Sequence, residues 1–383
     1  MSALHAGQVQ AQTSAPAIEQ ARRHMLDADV NTLTFHNMDQ LYDTRTVGRS
    51  GPIWVLPKVE SPMAFTYAYD GGQKPAGSIL EDNRTNALLI IKNGRIVTEI
   101  YRNRTSEKTR FMSWSMAKSI TATLVGLALS EGRIASLDDP LTRYLPELKG
   151  GGYEGVTIRQ TLQMRSGVDY EERYDFENPG IAATVFEQVL VKNQARFADF
   201  AAGLKRKHKP GEVFEYKTID TAVLGWLVER ATGSNASTYL ASRIWEPMGA
   251  EADGFFIMDG PPGVGREFTG AGYNATLRDY GRFGLLMLQD GVANGRRLVP
   301  AEWVREAAAP ALGQEGERGG YGYQWWTMSN SPAYYALGLQ GQFIYVDPAT
   351  QTVVVKLSYH APGDPTAVGE ALSFMSAASA WRP

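Results

Sequence analysis

Ser115 and Lys118 carry the most pointed chemical signal in this chain. They lie in Ser113-Trp114-Ser115-Met116-Ala117-Lys118-Ser119, the only Ser-x-x-Lys present. Apolar residues follow at Ile120, Leu124, Val125 and Leu127, a spacing that predicts a helix with one buried face. Residues three apart on a helix lie one above the other, so the hydroxyl and the amine can meet at one point. A serine hydroxyl is a poor nucleophile until a base takes its proton. Lysine can be that base once it has lost its own proton. At a pKa of ~10.4 only ~1 lysine in 2,500 is neutral at pH 7. Burial and nearby positive charge lower that value, and the start of a core helix supplies burial. The competing reading of the same tetrad is a chance match with a solvated lysine.

The other common catalytic sets are weaker. The histidines are His5, His24, His36, His208 and His360, and neither His-Glu-x-x-His nor a Gly-x-Ser-x-Gly elbow occurs. A histidine triad would have to use His36, His208 or His360 at an unrecognised site. Gly263 and Gly265 begin a glycine pair, but Phe268 takes the third position, which argues against a nucleotide loop. With no cysteine, disulfides, thiolate metal sites and a cysteine nucleophile are excluded. No cofactor and no metal are expected. A lysine base is therefore the better candidate, as in the Ser-Lys variants of the triad.

The elements that must position this pair can be read in outline. The chain has 383 residues, 43% hydrophobic and 21% charged, with a net charge of -3, the composition of an ordinary globular protein. Neither a nucleic-acid nor a membrane partner is expected, and the basic run Lys205-Arg206-Lys207-His208-Lys209 reads as a solvated loop. No signal peptide is visible in the first 30 residues and no window is apolar enough to span a bilayer, so a cytoplasmic location is the default. Residues 1–60 read as an arm around the body, with a helix near Ala17–Asp29. Ala87–Ile91 and Ile96–Tyr101 flank Asn93-Gly94, a strong hairpin signal, and the first run should be buried on both faces.

Further along, Leu137-Asp138-Asp139-Pro140 predicts a short helix with Pro at its first position. Val156–Met164 predicts another, capped by Thr157. Helices are also expected over Thr221–Ala231, stopping at Gly233, then over Asp279–Gln289, Glu302–Ala309 and Ala367–Ala380. Strands are expected over Gly322–Trp326 and in the hairpin Gln342–Val346 with Thr352–Leu357. Strands early and late with helices between predict an α+β fold. The expected division is a sheet domain over 61–123 and 275–383, a mostly helical region over 124–274, and the active site at their junction.

In order and spacing, these residues resemble a known family. Ser115-x-x-Lys118, Leu137-Asp138-Asp139-Pro140, Leu162-x-Met164-x-Ser166-Gly167, Pro210-Gly211-x-x-Phe214-x-Tyr216 and Arg278-Asp279-Tyr280-Gly281-Arg282-Phe283-Gly284 resemble the class C β-lactamases and penicillin-binding-protein-like serine hydrolases. Ser166–Tyr170, Tyr323–Trp326 and Val354–Ser358 are similar to the 6-aminohexanoate-dimer hydrolase branch. The resemblance implies a β-lactamase-like antiparallel sheet flanked by helices. It implies Ser115 as acyl-enzyme nucleophile, Lys118 as base and Tyr216, of the family's second motif, as proton relay. The third motif, Lys-Thr-Gly in β-lactamases, falls on Ala336-Leu337-Gly338, so that Leu339 and Ser115 would give their backbone N–H groups to the oxyanion hole. Tyr170 matches a tyrosine that contacts substrate in that branch. Gln340 stands where the branch carries a histidine. Trp325 and Trp326 read first as core and cleft wall, with at most one of them, Trp326, expected at the substrate. Thr218 replaces the usual Asn or Ser, and Asp220 adds a carboxylate nearby.

The reading that results is a serine hydrolase acting through an acyl-enzyme on small linear amides or esters, with a 6-aminohexanoate-dimer-like amide as the nearest specific substrate. Its rivals are a carboxylesterase or weak β-lactamase of the same fold, and a catalytically silent binding domain. A homo-oligomer is compatible with either.

Overall fold

The computed structural model describes residues 15–173, 180–260, 263–311, 319–361, 364 and 366–383. The first 14 residues of the expected arm, with His5, lie outside them. The rest of the arm begins with a helix over Pro16–Arg23 and lies against the body. It also contributes a strand, β1 (Thr44–Val47). Next come β2 (Thr85–Lys92) and β3 (Arg95–Tyr101), joined at Asn93 (φ 49°) and Gly94 (φ 74°). Two successive left-handed residues match the right-handed strand twist, which is why Asn-Gly makes this turn. The short β4 (Phe111–Met112) leads into the Ser115 turn and α1 (Ala117–Ser130).

Beyond α1 lie α2 (Ile158–Leu162), α3 (Thr218–Thr232), β5 (Gly254–Ile257), β6 (Tyr273–Ala275) and α4 (Leu277–Leu288). The chain ends with β7 (Trp326–Thr327), β8 (Tyr334–Gly338), β9 (Gln342–Asp347), β10 (Thr352–Ser358) and α5 (Ala367–Ala380).

One antiparallel sheet has the order β7-β8-β9-β10-β2-β3. Strand β2 is buried along its whole length. Alternation of side chains across a strand explains this. Leu89 and Ile91 join the larger core, with α4, while Leu88 and Ile90 join the smaller one beneath α5. A second antiparallel sheet, β1-β5-β6-β4, holds the segment entering the Ser115 turn. Helix α1, whose spacing predicts one buried face, is instead buried nearly all round, polar Lys118, Ser119, Thr121 and Thr123 included, and it packs on α3.

Three local expectations are corrected. Pro140 is not the first residue of a helix: it is extended (φ -68°, ψ 141°), before a 3-10 turn over Leu141–Arg143, and it bridges to Thr157. The strand expected over Gly322–Trp326 is reduced to Trp326–Thr327. Gln324 adopts φ 61° and turns its amide to Leu162 O (2.8 Å) and the Thr221 hydroxyl (2.7 Å), which breaks the ladder. The first helix ends at Arg23, short of Asp29. The expected Thr157 cap is present, as a capping box with Gln160, and α3 stops at Gly233 in the left-handed region (φ 69°).

Candidate active site

From 111 to 128, Ser115 is the one residue that is not buried. The turn that displays it, Trp114–Met116, is a single 3-10 turn before α1. Trp114 has φ 44°, uncommon for a bulky residue. It is held there by its ring against Phe35 (5.4 Å) and by the Ser113 hydroxyl on its carbonyl (2.9 Å).

Lys118 Nζ lies 2.8 Å from Ser115 Oγ, the juxtaposition that the three-residue spacing predicts. Its other partners are the Thr218 hydroxyl (2.9 Å) and Gly270 O (2.8 Å). Lys118 is 1% exposed, and that burial pulls its ammonium down to about 8, against the opposing pull of the Glu172 carboxylate. Burial therefore sets the shift, and the charge that acts on Lys118 is negative rather than positive. With a pKa near 8, about one lysine in ten is neutral at pH 7, about 200 times more than for a free side chain.

Tyr216 precedes α3 and is half-buried. Lys118 Nζ sits 5.0 Å from the centre of its ring, and the ring stacks on Trp326 at 5.7 Å. Burial holds its phenol protonated well above the usual range, offset in part by a hydrogen bond with Ser115. The third-motif strand β8 runs past the same turn. A Cβ at Gly338 would lie 2.2 Å from Ser113 O, so only glycine lets the two backbones approach this closely. Leu339 follows, 40% exposed.

These residues meet at a cavity of about 650 Å³, whose wall includes Ser115, Tyr216, Thr218, Trp326, Leu337 and Leu339. Apolar Phe186, Leu190 and Phe268 line it as well. Trp326 is thus at the cavity, while Trp325 is fully buried. Gln340 also lines the cavity, but both ends of its amide are engaged. Its Nε2 donates to Leu26 O (2.8 Å) and its Oε1 accepts from Asn31 (3.1 Å), so it ties down the N-terminal segment. Tyr170 is 2% exposed and does not line the cavity; Glu172, two residues on, does.

Glu172 was not legible in the sequence. It accepts from the Thr218 hydroxyl (2.6 Å) and the Thr218 N–H (2.9 Å), a contact across 46 residues. Asp220 is buried and bonded to the Tyr153 hydroxyl (2.6 Å), away from Lys118. His360 reaches the cavity wall, but its Nε2 pairs with Asn83 Oδ1 (2.7 Å) and burial drives it down to about 3. His36 pairs with Asn86 (2.9 Å), and His208 lies 3.7 Å from Glu215. The Arg278-Asp279 motif is structural: Arg278 pairs with Glu99 (2.6 Å) and Asp279 with Arg282 (2.7 Å). Among the described residues there is no cluster of three metal-ligating acids or histidines, and no helix long and apolar enough to cross a membrane.

The β-lactamase family model matches residues 80–373. The 6-aminohexanoate-dimer hydrolase of Paenarthrobacter ureafaciens is 32% identical over 87% of this chain and 86% of its own length. A Bacillus anthracis structure provisionally named a 6-aminohexanoate-dimer hydrolase superposes with a TM-score of 0.82. It is 25% identical, over 92% of this chain and 95% of that one. A family VIII carboxylesterase shares the fold at a TM-score of 0.61 and 17% identity, over 79% of this chain and 94% of its own. The chain belongs to the β-lactamase family of serine hydrolases.

Proposed function

We propose that this protein hydrolyses small linear amides or esters through an acyl-enzyme on Ser115, and that the nearest specific substrate class is a 6-aminohexanoate-dimer-like amide. The observation that carries this reading is the buried Lys118 Nζ, 2.8 Å from the half-exposed Ser115 Oγ at the wall of a cavity of about 650 Å³. Neutral Lys118 takes the Ser115 proton as Oγ attacks the substrate carbonyl. The carbonyl oxygen gains the negative charge and is held by the N–H groups of Ser115 and Leu339. The carbon–nitrogen or carbon–oxygen bond then breaks. The leaving group takes a proton from the Lys118 ammonium by way of the Tyr216 hydroxyl, which burial keeps protonated. Water repeats the sequence in reverse, freeing the acid and restoring the Ser115 hydroxyl.

The third-motif residues Ala336 and Leu337 offer no side-chain donor, where Lys-Thr-Gly would hold the carboxylate of a β-lactam. A charge-assisted hydrogen bond contributes about 1.5–3 kcal/mol, one to two powers of ten in rate. The apolar wall at Leu337, Leu339 and Trp326 suits a linear methylene chain.

The test is kcat/KM on a p-nitrophenyl ester, a short anilide and a chromogenic cephalosporin, with Ser115→Ala and a fluorophosphonate label on Ser115. The expected result is labelling at Ser115, loss of turnover in Ser115→Ala, and the cephalosporin as the poorest substrate. Full activity in Ser115→Ala rejects the mechanism. Cephalosporin turnover at or above the other two rejects the substrate class.

A further inference from the structure

Among the described residues Lys118 has three hydrogen-bond partners, and they are not equivalent. Gly270 O, at 2.8 Å, is a carbonyl and only accepts. The Thr218 hydroxyl, at 2.9 Å, can give or take a hydrogen bond, but its own hydrogen is committed. Glu172 Oε1 lies 2.6 Å from it, and a carboxylate only accepts. The second Glu172 oxygen takes the Thr218 N–H at 2.9 Å, one of the donors that the first turn of a helix leaves without an internal partner. Glu172 thus holds both donors of Thr218. The Thr218 oxygen is left to accept from Lys118.

A neutral amine has two N–H bonds and one lone pair. Gly270 O and the Thr218 oxygen take the two N–H bonds. The one partner that remains is Ser115 Oγ, at 2.8 Å. We propose that Glu172 is a positioning residue which, acting through the Thr218 hydroxyl, points the lone pair of neutral Lys118 at the Ser115 hydroxyl. The inference rests on the proposed roles of Ser115 and Lys118 and adds what orients the base.

Glu172 acts on Lys118 in a second way, by charge. Its carboxylate favours the ammonium and opposes the effect of burial. Among the described residues, Glu172 is the charged group that acts on Lys118. Tyr216 presents its ring to Nζ, Asp220 is bonded to Tyr153, and the Lys217 ammonium pairs with Glu215 at 2.6 Å. Tyr170 is buried and protonated, its phenol raised by burial and by Glu172.

Glu172→Gln separates the two effects because they have opposite signs. Loss of the charge lowers the Lys118 pKa, moves the acidic limb of the pH–rate profile to lower pH, and by itself raises activity at pH 7. Loss of orientation lowers the plateau. A carboxamide has one accepting and one donating end. With its oxygen on the Thr218 N–H, its NH2 donates to the Thr218 oxygen, and the freed hydroxyl hydrogen turns to Lys118 and competes with Ser115 for the lone pair.

The experiment measures pH profiles of kcat/KM on an anilide for the parent, Glu172→Gln, Thr218→Val, Thr218→Ser and the double variant Glu172→Gln/Thr218→Val. A correctly placed general base contributes ~10²–10⁴-fold, and partial misorientation should remove about ten- to a hundredfold of it. The expected result is a plateau lowered by that factor in Glu172→Gln, with its acidic limb displaced to lower pH. Thr218→Val should fall as far, the double variant no further, and Thr218→Ser should keep the parent's plateau. A Glu172→Gln plateau within twofold of the parent, an unmoved limb, or additive losses in the double variant would overturn the inference. Should Glu172→Gln not fold, Thr218→Val against Thr218→Ser decides: equal plateaus overturn it. Activity surviving Ser115→Ala would instead reject the nucleophile. An inactive Ser115→Ala beside an unaffected Glu172→Gln would reject the orienting role alone.

Discussion

Replacing Gly338 by alanine tests whether β8 and the nucleophile turn form one rigid unit. The added methyl would lie 2.2 Å from Ser113 O, 3.0 Å from Gln342 Cβ and 3.1 Å from Trp114 Cβ, where ordinary contact begins near 3.4 Å. The backbones must therefore separate by about 1 Å. Neither side can retreat freely. Ser113 is buried, with its N–H on Tyr273 O (2.8 Å) and its hydroxyl within reach of Ala271 O (3.2 Å). Gly338 is in register with Gln342 on β9. The gap would open between the N–H groups of Ser115 and Leu339. Misplacement by about 1 Å can cost about 10²-fold, and loss of one oxyanion donor about 10²–10³-fold.

We expect kcat on a p-nitrophenyl ester to fall about a hundredfold with KM little changed. Overpacking of about 1–3 kcal/mol should lower Tm by several degrees. Gly203→Ala, at a site with open space around it, is the control and should leave both unchanged. A Gly338→Ala enzyme within about threefold of the parent kcat would show that the turn and β8 are not mutually fixed, and the oxyanion role of Leu339 would fall with it.

Tyr216→Phe should cost amide turnover about 10²–10⁴-fold and an activated ester much less, because its leaving group needs no proton; equal losses would reduce Tyr216 to a positioning role. With Lys118 drawn down to about 8 by burial, kcat/KM should rise with pH and level off above that value, and a kcat/KM that does not change from pH 6 to 10 would exclude Lys118 as the base. Lys356 on β10 is fully buried and drawn down to about 7 by burial. An unfolded chain therefore holds one more proton than the native state between about pH 7 and 10.5, and stability rises with pH there by up to about 1.4 kcal/mol per unit. Lys356→Met should flatten that part of the slope in urea unfolding measured from pH 7 to 9; an unchanged slope would show that Lys356 does not titrate there.

Features set by neighbours along the chain were readable beforehand. Ser115 and Lys118 meet because three residues of helix place them together. Asn93-Gly94 turns the β2–β3 hairpin because two left-handed residues are cheap there. Thr157 and Gln160 close a capping box within one turn, and α5 runs over the expected Ala367–Ala380. Each depends on residues no more than a few positions apart, or on one apolar face.

Features set by distant segments were not. Nothing near Tyr170 indicated that Glu172 would grip Thr218 across 46 residues, beside Lys118. The Lys118 pKa depends on how completely α1 is enclosed. Trp325 and Trp326 differ in place because the strand begins only at Trp326: Trp325 is buried in the core and Trp326 lines the cavity. Gln340 looks like a free cavity amide until the Leu26 and Asn31 contacts appear. The sequence by itself determined the meeting of Ser115 with Lys118 and the local elements that carry them, since short-range backbone geometry suffices for these. The orientation of the base, its protonation and the wall of the cavity were decided only by the tertiary structure, because hydrogen-bond direction and desolvation depend on groups that the chain brings together from far apart.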